Sequence, residues 1–194
     1  MDKNKQIKKI PKYLDKKFIK KSNLLTRGLQ ELGLLTSTLK LISCGDVRII
    51  ALDGSQSFKF SDGDLFKWVF FDSTDLNTNA SAIESDEIEL LVYEQVKDST
   101  VNQMFISLNR NLDELCLTQN QILEFLDKYK NYSKNKSNHF LFKSDGKIFV
   151  TQVCVDSDDS MRLFGGMFST DNNSPIYPVK SVHFRVIVPK QKKY

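Results

Sequence analysis

Residues 100–129 read TVNQMFISLNRNLDELCLTQNQILEFLDKY, and this stretch decides how the rest of the chain is read. Thr100 stands three residues before Gln103, and Thr118 three before Gln121. At that spacing a Thr hydroxyl accepts the amide of the third helical residue, while the Gln side chain returns to the amide of the cap itself. The spacing predicts two helices. The first would carry Val101, Met104, Phe105 and Leu108 on one face, the second Ile122, Phe125, Leu126 and Tyr129. Leu115, Cys116 and Leu117 read as a short buried connector between them. Residues 128–138 (KYKNYSKNKSN) read as an exposed helix end followed by a loop.

On both sides of this helical pair the pattern changes to strands. Upstream, residues 39–43 and 47–52 are β-prone and separated by Cys44-Gly45-Asp46; Asp53-Gly54 and then residues 57–60 follow. Asp-Gly between such runs suits a two-residue hairpin, whose central positions need positive φ. Residues 66–71 form an aromatic run expected in the core, as a strand or a short helix. Residues 72–86 are polar and read as a loop, and residues 88–92 as a strand entering Tyr93-Glu94. Downstream, Phe140-Leu141-Phe142 leads into a turn at Ser144-Asp145-Gly146, a strand over 148–155, and a turn over 156–160. Strands over 161–168 and 182–188 come last, joined by a polar loop at 169–180. Antiparallel neighbours with short turns are the simple assembly. The fold class expected is α+β: antiparallel β meanders packed with a short helical pair, plus a Lys-rich N-terminal helix or arm.

That arm follows from charge. The 194 residues carry a net +4, but residues 1–21 alone hold nine Lys and two Asp, and residues 190–194 hold three Lys. Residues 72–98 hold eight acids against the single Lys97. The organisation expected is a Lys-rich arm over 1–21, one α+β domain over 22–189, and a basic tail over 190–194. Pro11 delays a helix to about residue 12, and Gly33 would close it. The basic ends suit nucleic acid by counterion release from phosphates, with Lys8, Lys9, Lys12, Lys16, Lys17, Lys20 and Lys21 as the candidate contacts. A solvated tail is the plainer alternative. Residues 1–21 lack the apolar stretch of a secretory signal, and no run of about 18 apolar residues suits a membrane span. A cytoplasmic location is expected.

Motifs for chemistry are hard to find. His139 and His183 have no HxxxH or HxH companion, and Cys44, Cys116 and Cys154 form no CxxC pair, which argues against zinc. Cys116 and Cys154 read as buried, inert thiols. An EF-hand loop counted from Asp156 would need Gly and Glu where Met161 and Met167 stand. Gly146-Lys147 lacks the first Gly and the Ser or Thr of a P-loop. Gly165-Gly166 reads as a bulge or a close backbone approach. Phe140, Phe142 and Phe149, interleaved with Lys143, Lys147, Arg162 and Arg185, invite a base-stacking surface, but a shared strand face is more simply used for a core.

From about residue 58 to 189 the chain resembles a family of small uncharacterised bacterial proteins with no assigned activity. The residues that carry the likeness are Tyr93-Glu94, Lys97-Asp98, Thr100, Gln103-Met104-Phe105, Ser107-Leu108, Leu115-Cys116-Leu117-Thr118-Gln119, Gln121-Ile122 and Phe125. They continue with Phe140-Leu141-Phe142-Lys143, Phe149-Val150, Phe168, Arg185-Val186 and Val188-Pro189. Residues 131–138 depart from the family, which there has Trp and a Gly-Tyr-aromatic run. The resemblance implies a bacterial source and supplies no catalytic residue or cofactor.

The function expected is therefore a non-enzymatic interaction or accessory module, without cofactor or metal, that binds a protein partner. Nucleic-acid binding through the Lys-rich termini is the alternative, and an enzyme with a site assembled from distant residues is the second. A basic groove beside exposed aromatics would favour nucleic acid. An exposed apolar patch or an unpaired edge strand would favour a protein.

Overall fold

The strand β6, Lys136–Ser144, organises the molecule. Its side chains alternate between two faces, as any strand's must. Phe140 and Phe142 point into one apolar core and Leu141 into another. The computed structural model describes residues 36, 38–52, 66–72, 84–169, 176–177 and 183–191, all within the unit Thr36–Tyr194. The Lys-rich arm with its seven candidate lysines, the helix expected from residue 12, the Asp53-Gly54 turn and the strand over 57–60 lie outside the described residues, as does most of the loop at 169–180.

In chain order the strands are β1 (Leu39–Ile49), β2 (Trp68–Asp72), β3 (Ile88–Gln95), β4 (Ser99–Thr100), β5 (Cys116–Leu117), β6, β7 (Lys147–Val155), β8 (Met161–Met167), β9 (Ile176–Tyr177) and β10 (His183–Pro189). The helices are α1 (Val101–Ile106), α2 (Gln119–Lys128) and the single turn α3 (Lys130–Ser133). One mixed sheet runs β1-β3-β10-β6-β7-β8-β2, with β5 alongside β6; β4 and β9 pair separately. The α+β class holds.

Both capping boxes form. Gln103 N–H donates to Thr100 Oγ1 (3.1 Å) and Thr100 N–H to Gln103 Oε1 (2.9 Å). Gln121 N–H donates to Thr118 Oγ1 (3.2 Å) and Thr118 N–H to Gln121 Oε1 (2.9 Å). The helices do not stack as a pair. Ile122, Phe125 and Leu126 of α2 pack on the face of Phe140, Phe142 and Phe149, whereas Val101, Met104 and Phe105 of α1 pack on the face of Leu141, Val186 and Val188. The β6-β7-β8 meander forms as expected. Asp145 (φ 48°) and Gly146 (φ 74°) supply the positive φ values of its first hairpin.

Four expectations are corrected. Residues 39–52 do not hold two strands: β1 crosses Cys44-Gly45-Asp46 without stopping, absorbing them as register shifts against β3. Residues 136–138 are not loop but the start of β6, with Ser137 and Asn138 buried. Of the two readings offered for Gly165-Gly166, the bulge is excluded: β8 keeps its register with β7 and β2 through both. The last strand does not extend the second meander. β10 crosses to lie between β3 (antiparallel) and β6 (parallel). Its sequence explains this, because Phe184, Val186, Ile187 and Val188 offer apolar side chains to both faces, and only a central strand buries both.

Candidate interaction surface

The aromatic run at 66–71 is where the structure departs most from the sequence reading. Phe66 is buried at 3% exposure in the core under α2, and it anchors the segment. Lys67 N–H donates to Met161 O (2.8 Å), and β2 then runs parallel to β8, with Trp68 opposite Arg162, Val69 opposite Leu163 and Phe70 opposite Phe164. Expected in the core, this strand instead forms the sheet's margin. Trp68 is 66% exposed, Phe70 62% and Val69 40%. Trp68 and Phe70 share the face of Arg162 and the half-buried Phe164; Val69 stands on the other face, as does the exposed Met167 of β8. Among the described residues no strand pairs with the outer side of β2. A run of apolar residues between polar segments suits either a central strand or an edge, so the sequence alone did not separate the two.

The cations beside this patch are already engaged. The 156–160 turn, rejected as a calcium loop, gathers three of them. Arg162 Nη2 meets Asp156 Oδ1 at 2.6 Å, Lys134 Nζ meets Asp159 Oδ1 at 2.9 Å, and Lys67 Nζ meets Asp158 Oδ2 at 3.8 Å. Ser160 holds Asp158 in place, donating through Oγ (2.7 Å) and N–H (3.0 Å); these bonds, with Lys67, keep that carboxyl below its usual range. The patch is thus aromatic and locally neutral, not a basic groove. The aromatics that invited a stacking surface are used otherwise: Phe140 packs edge-on against Phe125 (5.3 Å between ring centroids), and Phe142 stacks on Phe149 (5.5 Å). Arg185 is buried beside Glu94, Nε to Oε2 3.4 Å.

Among the described residues, the other chemistry-bearing side chains are held apart in separate hydrogen bonds. His139 is fully enclosed next to Phe184, its Nδ1 3.2 Å from the carbonyl of Arg185. Burial pushes its pKa down to about 4, against a slight upward pull from that carbonyl. It is therefore neutral at physiological pH, with Nδ1–H as donor. On the same face, Gln152 Nε2 donates to Ser137 Oγ (2.7 Å), and the Cys154 thiol donates to the same oxygen (3.7 Å). Cys116 donates to Leu112 O (3.3 Å), and burial pushes its thiol up to about 11. Both thiols are half-buried, less enclosed than expected. A shallow depression of about 510 Å³, lined by Ala51, Leu52, Glu84, Ser85 and Asp86, lies where Leu52 and Ser85 exchange backbone hydrogen bonds. Among the described residues, no His, Cys, Asp and Glu side chains are grouped to hold a metal ion, and no helix is long and apolar enough to cross a membrane. No family model, curated protein or solved structure matches this chain.

Proposed function

We propose that the protein is a non-enzymatic interaction module that receives a protein partner on the margin of its sheet, at β2. One observation carries this reading: Trp68, Val69 and Phe70 stand exposed in consecutive positions on an edge strand. Edge strands offer backbone hydrogen bonds to another chain, and natural proteins normally blunt them. Burying a large apolar side chain contributes roughly 1.5–3 kcal/mol, so Trp68 and Phe70 alone supply substantial affinity once covered. The neutral surroundings favour a protein over a polyanion, because the nearby Lys and Arg side chains are paired with Asp156, Asp158 and Asp159.

The test is capture from native lysate by the full chain and by Trp68→Ser/Phe70→Ser, each with and without nuclease. A partner that survives nuclease and is lost in the double variant supports the reading. Capture that depends on nucleic acid and is indifferent to the two substitutions contradicts it, and returns the Lys-rich arm to the front.

A further inference from the structure

The two margins of the sheet are built differently. β1 is broken by two register shifts, and Lys40, Asp46 and Arg48 stand exposed along it, which are devices that keep an edge from pairing. β2 has no register shift: its pairing with β8 is unbroken from Trp68 to Asp72, and its described side chains, Trp68, Val69 and Phe70, are apolar and exposed. We propose that the occupant of this edge is a second copy of the same chain, paired β2 to β2 in antiparallel about a two-fold axis at Val69. This rests on the reading of β2 as the interaction surface and names its partner.

The strand is complementary to itself. A two-fold axis normal to the sheet leaves each face where it was, so a residue can oppose only one that shares its face. With Val69 on the axis, Trp68 of each copy opposes Phe70 of the other, and Val69 opposes Val69. Aromatic cross-strand pairs are among the stabilising ones. The ion pairs of the 156–160 turn balance the three cations described beside the strand, Lys67, Lys134 and Arg162, which would otherwise repel a second copy. The four aromatic side chains would lose on the order of 500 Å² of surface. With Val69 and the backbone added, the interface stays at the low end for specific association. The dimer is therefore weak and reversible.

Sedimentation velocity of the full chain, from about 1 μM to about 1 mM, reads this directly. The wild type moves from monomer to dimer across that range, and Phe70→Lys raises the dissociation constant at least about tenfold by placing a charge on the edge. Val69→Lys and Val69→Glu are each monomeric alone, because like charges meet across the axis. Their equimolar mixture regains the dimer, since position 69 faces only its own counterpart; this rescue requires both variants to be folded. A monomeric wild type, or a mixture no better than either variant alone, overturns the second copy. If the wild type is monomeric and Trp68→Ser/Phe70→Ser still loses a captured partner, only the identity of the occupant falls. If those substitutions leave capture intact, the surface reading falls with it.

Discussion

His139 is enclosed with its Nδ1–H on a backbone carbonyl, and that placement has a pH consequence. In the unfolded chain a His titrates near 6.5; here burial holds the pKa at about 4. Between these values the unfolded chain binds a proton that the native protein refuses. Stability therefore falls as pH drops from about 6.5 toward 4 and is level above, by up to about 3 kcal/mol for this one group. Denaturant titrations at several pH values check this, and His139→Phe should flatten the slope in that window. An unchanged slope in the variant would place the proton elsewhere. The cysteines make a second test at this scale. Cys116 carries the raised pKa, so it should alkylate more slowly than Cys154 in native protein near neutral pH. The sequence had suggested buried, inert thiols at both positions, and both are half-buried. The strand's open face, which leaves Cys154 half-buried beside Gln152 and Ser137, is a product of long-range pairing.

At the scale of elements, the helix-start signals were read correctly. Thr100 with Gln103 and Thr118 with Gln121 act over three residues, and both boxes close. Thr118→Ala should destabilise the protein by about 0.5–2 kcal/mol, measured as a shift in the denaturation midpoint. Thr100→Ala should destabilise by a similar amount, because its box is equally complete and Thr100 is buried. No shift for Thr118→Ala would mean that α2 does not depend on its cap. Asp145-Gly146 is similarly local, and so is the placement of Phe140 and Phe142 on one buried face. Strand order is not local. Nothing within residues 183–189 states that β10 lies between β3 and β6, although its apolar residues on both faces hint at a central place. The bulged β1 was read as two strands because Gly45-Asp46 resembles a turn until β3 is seen running past it. Residues 66–71 were read as core for the same reason: hydrophobicity reports that a run is apolar, not that its neighbour is solvent, and of these residues Phe66 is buried while Trp68, Val69 and Phe70 are exposed.

Across the described residues, the exposed aromatics of β2 lie beside charges that are paired with one another. The sequence places its excess Lys in the termini, and the acidic 156–160 turn neutralises the cations nearest the exposed aromatics. The candidate site was only partly legible for this reason. Its residues belong to β2 and β8, distant in sequence, and its neutrality depends on three ion pairs that no motif announces. Trp68 is the chain's single Trp and sits within the patch, so the protein carries its own reporter. The decisive measurement is Trp68 emission and acrylamide quenching as functions of protein concentration. Dilute protein should show red, readily quenched emission, and concentrated protein a blue shift with lost quenching, absent in Phe70→Lys. Blue, poorly quenched emission from the dilute monomer would contradict the account, because Trp68 would then be buried without any partner.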